Sequence, residues 1–562
     1  MNFRKKGSIA LITLLLFATR AQAAVIGPVS TLGALNSAIS NAEPGDTILM
    51  ANGAWTDTVI NFKTDGLAGQ PITLRAEVDG QVKMEGASQI KFAGDYLVAQ
   101  GLHFTNGSIA DGGHVVEFRE NSSNLANHCR LTQCAITDYN PVDPTTNYKW
   151  VSVYGMHNRV DHCSFKGMNH VGVTLTVWLG TNAPANHTRI DHNVFADRTE
   201  GDGNGFETIR IGTSTRSMQE SKTIVEDNYF YRCDGEIEII SNKSVGNIYR
   251  RNTFESCSGQ LTLRHGNECI VEGNYFLGNG ISGTSGVRVI GEDHVVVNNY
   301  FENLRGTSAR AALSFYNGVP NSPLNRYFQV KRALIAFNTF SGCTENFVIG
   351  IDSSDTSLPP LDCVIANNIV EGDDDPLVEY RTTPLNIQYE GNIFHGASLG
   401  ISQPSGIQLI DPLLAPAFDG TMRPAGNSPA IDSAQGSYPD ITTDIDGQSR
   451  PTGSIDIGAD ELSLTSRQFT RLDADITGPR WMRPSNVSIT KVSLTSSEAE
   501  ITFEDKTGLS PFYTVERSDA LTPDSWTFVT TFVPVAHTST VFSITDPSAN
   551  SDTNFWRIRY LQ

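Results

Sequence analysis

The sequence predicts an all-β protein: a right-handed, single-stranded parallel β-helix over residues 24–465, followed by a small C-terminal β-sandwich over residues 487–562. Three observations predict it. A hexad of the form apolar-x-x-Asn-x-aromatic recurs, as in IDHNVF (190–195), VEDNYF (225–230), VEGNYF (271–276), VVNNYF (296–301) and YEGNIF (389–394). After Asn193 the marker asparagines fall at 228, 252, 274, 299, 338, 368 and 392, so the shortest coils take 22–25 residues and the others carry insertions. A period of this size marks a solenoid in which each turn buries its face against the next. Between the markers Val, Ile, Tyr, Phe, Thr and Gly dominate and the apolar residues alternate, which is a strand pattern and a poor helical one. From Val487 onward the texture changes to six or seven short alternating runs, among them VSITKVSL, AEITFED and FWRIRYL. Split by Ser, Thr, Pro and Asp, these suit an antiparallel, fibronectin-like sandwich.

Taken in order, residues 1–23 read as a signal peptide. MNFRKK is basic, IALITLLLFA is too short to span a bilayer, and Ala21-Gln22-Ala23 offers a small-x-small cleavage site. The expectation is export, to the periplasm or out of the cell, with no membrane partner. Residues 31–55 predict a short amphipathic cap helix and a first strand, shielding the open end of the solenoid from edge pairing. Degenerate early turns are expected near 72–78 and 96–104. In the hexads, Asn should hydrogen-bond from coil to coil while the aromatic residue two places later fills the interior. Asp161-His162 and Asp191-His192 occupy equivalent repeat positions and read as turn structure. The solenoid should close around 444–461, which is Gly-rich and has no hexad, with 466–486 as a linker. Eight cysteines without a CxxC pair read as buried thiols, not as a zinc site. Trp526 and Trp556 read as packing residues of the sandwich sooner than as sugar platforms. A net charge of −20 argues against nucleic acid and anionic lipid, so a polyanionic ligand would need a local basic patch.

The stretch GEIEIISNK (235–243) locates that patch. Glu236 and Glu238 leave one face of a strand, repel each other, and are followed by Lys243. Counted from the Asn of each coil, Glu236 lies at +8, Glu238 at +10, Asn204 at +11, Arg264 at +12 and Arg288 at +14. With coils about 4.8 Å apart, these residues should form a stripe up one outer face. Two carboxylates and an amide oxygen on neighbouring coils make a hard-oxygen site suited to Ca²⁺, and less suited to Mg²⁺ with its strict octahedron. Lys243, Arg264, His265 and Arg288 supply the positive charge. This inventory fits β-elimination on a uronate polysaccharide. Neutralising the uronate carboxylate acidifies the neighbouring C–H, and an amine set among cations can take the proton. Glycoside hydrolysis, which wants its carboxylates on either side of the bond, fits less well.

These residues resemble polysaccharide lyase family 6, the β-helix lyases that include alginate lyases and chondroitin B (dermatan sulfate) lyase. The resemblance covers roughly residues 25–460 and rests on NGFETIRIG (204–212), GEIEIISNKS (235–244) and LTLRHG (261–266), in that order on a β-helix repeat. It implies Asn204, Glu236 and Glu238 as Ca²⁺ ligands, Lys243 as Brønsted base and Arg264 as Brønsted acid. It further implies that His265 and Arg288 bind substrate carboxylates. Because a guanidinium hardly releases its proton, Arg264 is also read as stabilising the departing oxygen while water or a neighbour delivers the proton. The form of NGFETIRIG leans toward alginate over dermatan sulfate as the polysaccharide partner. The insertions at 140–150 and 306–330 are expected to wall the groove. Two other readings remain open: a non-catalytic carbohydrate-binding or adhesin β-helix whose glutamate pair is a solvated face, and a β-helix glycoside hydrolase.

Overall fold

The computed structural model describes residues 23–483 except 373–375, 418 and 452, together with the backbone of six strands between Val487 and Tyr560. Two parallel sheets of 14 strands and one of 13 wind around a common interior, with successive strands of the chain passing from sheet to sheet. This is a parallel β-helix. Within the second, 13-stranded sheet the strands Ile209–Gly212, Glu238–Lys243, Gln260–His265 and Val287–Val289 are consecutive neighbours, and they carry the site.

The hexad explains the stacking. Each marker asparagine donates its side-chain amide to the amide oxygen of the next, at 2.9–3.0 Å from Asn193 to Asn392. The residue just before each takes a left-handed turn, with φ between +52° and +65° from His192 to Gly391. Gly, Asn and Asp recur there because that conformation costs them least. Two residues beyond, Phe165, Phe195, Phe230, Phe254, Phe276, Phe301 and Phe340 stack with ring centroids 4.4–5.2 Å apart. Each ring, at most 2% exposed, contributes roughly 1.5–3 kcal/mol by leaving water. All eight cysteines are buried free thiols, as the sequence suggests. Asp161 and Asp191 accept paired hydrogen bonds from Arg130 and Arg159, and His162 stacks on His192 at 4.8 Å. That turn is structural.

The N-terminal cap is a helix, Leu32–Asn41, capped by the Thr31 hydroxyl and burying Leu35, Ala38 and Ile39. A strand, Val25–Val29, precedes it and pairs with Thr47–Met50, so the first strand comes before the helix and not only after it. The coils end at Ile407–Leu409, and the chain then turns back along the outside of the solenoid. Tyr438 bonds Glu390, the Met422 amide bonds Tyr300, and the Leu472 amide bonds Thr253. The Trp481 indole donates to the Gln133 carbonyl at 2.7 Å. The stretch expected as a linker is thus fastened to the coils as far as Arg483. Its anchors Leu472 and Trp481 belong to no recurring apolar pattern, which hides their role from a periodicity argument. Beyond it, six strands form two three-stranded antiparallel sheets, the expected sandwich pattern. Residues 1–22 of the stretch expected as a signal peptide (1–23), Trp526 and the side chain of Trp556 lie outside the described residues. Among the described residues no helix is long and apolar enough to cross a membrane.

Candidate active site

The outward face of the second sheet brings together Glu236, Glu238, Lys243, Arg264, His265 and Arg288, and adds a residue that coil counting missed. Glu207 is fully buried beside the strand Ile209–Gly212, and carboxylate oxygens of Glu207, Glu236 and Glu238 lie within 4.8 Å of one another. Asn204 is exposed on the loop leading to Glu207, and it is Glu207 that lies level with Glu238. The register gives the reason. Ile209 pairs with Ile240 and Gly212 with Lys243, so Glu207-Thr-Ile-Arg-Ile-Gly runs alongside Glu238-Ile-Ile-Ser-Asn-Lys with the two glutamates abreast. The signal was present in the two motifs, aligned with each other instead of with the distant asparagine ladder.

Two register shifts shape the site, one between Glu238 and Ile240 and one between Asn242 and Lys243. The first turns both Ile239 and Ile240 into the core, breaking the simple alternation the sequence suggests and leaving Ile237 half-buried. The second sets Lys243 opposite His265 and leaves Arg264 between paired positions. Bulges of this kind re-aim side chains next to active sites.

Each carboxylate has a different electrostatic setting. Glu238 is 4% exposed; it accepts from Arg264 Nη1 at 3.0 Å, from Arg288 Nη2 and from the Ser241 hydroxyl. Burial works to raise its pKa, but the charges of Arg288, Arg264 and Lys243 outweigh it and hold the carboxyl below its ordinary range. Glu236 lacks such partners. Burial, and then the charges of Glu207 and Glu238, push it up to about 8. Lys243 Nζ sits 3.5 Å from Glu207 Oε1, while Glu207 Oε2 and Glu236 Oε1 are buried without a hydrogen-bond partner. Orphaned buried acceptors cost about 1–3 kcal/mol each, more when charged. Three converging carboxylates with unused lone pairs fit a hard divalent cation bound through oxygen.

The cationic side is equally ordered. Arg264 Nη1 also donates to the Tyr327 hydroxyl at 3.2 Å, and the guanidinium lies over the Tyr327 ring at 5.1 Å. Tyr327 comes from the 306–330 insertion, which therefore reaches the site. Arg288, expected to face a substrate, is 3% exposed, bound to Glu238 and stacked over Tyr316 at 5.3 Å. His265 is 1% exposed; burial first, then the charges of Arg264 and Lys243, lower its pKa to about 3, so the ring is neutral.

Comparison with known proteins fits this arrangement. Residues 29–437 match the chondroitinase B family. The chain is 36% identical to the PL6 family alginate lyase AlyGC, over 81% of this chain and 60% of that one, with a TM-score of 0.69. It therefore spans about 60% of that relative's length. A mannuronic acid specific family 6 lyase from human gut microbiota is 32% identical over 66% of this chain and 87% of its own, with a TM-score of 0.61. A PL6 family lyase from Pseudopedobacter saltans is 25% identical over 82% of this chain and all of its own, with a TM-score of 0.60. Among curated proteins none matches the chain significantly. The match over most of the coils and the parallel β-helix agree, and the chain belongs to the chondroitinase B family of polysaccharide lyases, polysaccharide lyase family 6.

Proposed function

We propose that the protein is an exported alginate lyase that cleaves its polymer by Ca²⁺-assisted β-elimination. One observation carries the reading: three carboxylates converge on one face with the Lys243 amine 3.5 Å from Glu207 and the Arg264 guanidinium 3.0 Å from Glu238. Glu207, Glu236 and Glu238, with Asn204 on the rim, would hold the cation. When bound, such a cation supplies charge neutralisation at a uronate carboxylate and so favours the carbanion form of the sugar.

The chain's own groups do the rest. Lys243 Nζ takes the C5 proton; the electron pair left behind forms the C4–C5 double bond and expels the glycosidic oxygen from C4. Arg264 stabilises the negative charge on that oxygen. The Tyr327 hydroxyl, hydrogen-bonded to Arg264, is the neighbour able to deliver a proton to it. Neutral His265 can offer a ring N–H to an adjacent carboxylate, and an acid group arriving beside Glu238 would compete for the donors of Arg264 and Arg288. A second reading, a dermatan sulfate lyase, is favoured by the chondroitinase B family match.

The test is incubation with alginate or dermatan sulfate and Ca²⁺, following the ultraviolet absorbance of the unsaturated uronate product. A rise on alginate, suppressed by chelator and restored by Ca²⁺, is expected. A rise on dermatan sulfate alone would replace the first reading with the second, and undiminished activity after chelation would remove the metal from the mechanism.

A further inference from the structure

The outward row that contains Ser241, Thr262 and Arg288 does not end at the carboxylates. Register pairs carry it in the other direction from Ser241 through Arg210, Thr176, Ser152 and Glu117 to Lys91, five strands away and thus about 24 Å at ~4.8 Å per strand. Beside it runs an aromatic row. Tyr154 and Trp178 directly follow Val153 and Val177, which are in register with Ile211, and Gly212 after it pairs with Lys243. Tyr154 and Trp178 stack with centroids 5.6 Å apart and planes 2° from parallel. The indole N–H is fixed on the Ser152 hydroxyl at 3.2 Å.

This stack holds cations in place. Arg119 lies 3.7 Å over the Tyr154 ring, while Arg210 and Lys149 lie 5.7 and 5.9 Å over Trp178. Cations pinned against aromatic faces lose less freedom when they meet an anion. The carboxylates nearby are engaged. Glu117 accepts from Arg119 at 2.7 Å and lies 3.8 Å from Lys91, and Glu120 pairs with Lys63 at 2.8 Å. Burial keeps His114 neutral. Arg210 Nη1 lies 3.7 Å from Glu207 Oε1, while its Nε is buried without a hydrogen-bond partner. At the far end an open cavity of about 410 Å³ is lined by Lys91, His114, Glu117 and Arg119. An acidic protein thus keeps a local excess of ordered positive charge in line with its proton-abstracting lysine.

We propose that this row seats the carboxylates of a uronate polymer beyond the reactive sugar, on Arg210, Lys149, Arg119 and Lys91, so that the enzyme grips long chains over the coils preceding its acidic cluster. The inference rests on the lyase reading for the identity of the polymer. A neutral glycan would bring these cations no charge beyond that of Glu117 and Glu207, which Arg119, Lys91 and Arg210 already face, and charge-assisted contacts at successive coils suit a ligand with one acid group per sugar.

The experiment is calorimetric titration of full-length Lys243→Ala with uronate oligosaccharides of increasing length, alone and combined with Arg119→Ala, Arg119→Lys or Lys91→Ala. Affinity is expected to rise with length. Arg119→Ala and Lys91→Ala should each lower affinity for the longest oligosaccharide by about tenfold, roughly one charge-assisted contact, and for the trisaccharide by less than about twofold. Arg119→Lys should retain most of the long-chain affinity. Thermal melting checks the fold, and Lys91→Ala, at a part-exposed side chain, carries the test should Arg119→Ala fail to fold. Affinity independent of length, losses equal at all lengths, or equal competition by polyphosphate would overturn the inference. Length-dependent binding by a wild type that forms no unsaturated product would instead sink the lyase reading and leave the groove standing.

Discussion

Two regions of the same coils obey opposite rules. At the asparagine turn every coil repeats the last: the amides pair, the rings stack, and the strands flanking the turn keep a register without shifts. On the outward face of the second sheet the register slips twice within six residues, and Glu207 Oε2, Glu236 Oε1, Arg210 Nε and Arg288 Nε are left without well-formed hydrogen bonds. The first region lowers the energy of the chain. The second raises it locally and is tolerated because the first is so repetitive. In a solenoid, then, repetition marks scaffold, and a break in repetition marks the place where groups are held ready for something the chain itself does not supply.

Removing one group from each region breaks or sharpens this contrast. The largest effect is expected from Lys243→Ala, which should lower turnover by about 10²–10⁴-fold, the usual contribution of a positioned base, in a molecule that still melts cooperatively. Retained turnover would place the base elsewhere. Next comes Asn274→Ala. The side chain takes part in five hydrogen bonds, to Asn252, Tyr249, Glu272 and Asn299. Losing them and stranding their partners should cost about 3 kcal/mol or more in denaturant unfolding, with activity per folded molecule preserved. If turnover fell as steeply as stability, scaffold and site would not be separable. A smaller change is expected from Tyr327→Phe: about tenfold in kcat with little change in KM, if the phenol passes a proton beside Arg264. A change in KM alone would make Tyr327 a wall of the groove and nothing more.

The same contrast explains what could be read in the sequence. The ladder was legible because stacking demands one residue type at one recurring place, so the hexads with their eight marker asparagines announced the fold and its aromatic interior. Glu236, Glu238, Lys243 and Arg264 were legible because they share two short motifs. Glu207 was not, since its coil carries an insertion and counting from Asn193 loses register there. Tyr327 could not be placed at all: it reaches Arg264 from an insertion whose path no period describes. The end of the coils was misplaced for a related reason. Residues 411–483 pack by single anchors such as Trp481, which leave no pattern.

The smallest effect concerns acid, and it belongs to the scaffold. Asp161, Asp191 and Glu226 form a ladder at the hexad turn, and each is held below the ordinary carboxylate range. Burial alone would raise all three. Hydrogen bonds from Arg130 and His162 to Asp161, from His192 and Arg159 to Asp191, and from Arg250 to Glu226 reverse it. A carboxyl whose folded pKa is depressed adds stability that is complete above its unfolded value, about 4, and disappears as pH falls through the folded value. The part of the stability that these three carboxyls supply should therefore be level from neutrality down to about pH 4 and decline below it. Arg159→Met should flatten that decline by removing the forked partner of Asp191, at some cost in stability near neutrality, since it leaves a buried carboxylate short of its cation. A decline of the same size in the variant would mean that acid acts elsewhere, and the regular turn would then owe its stability to the amides and rings alone.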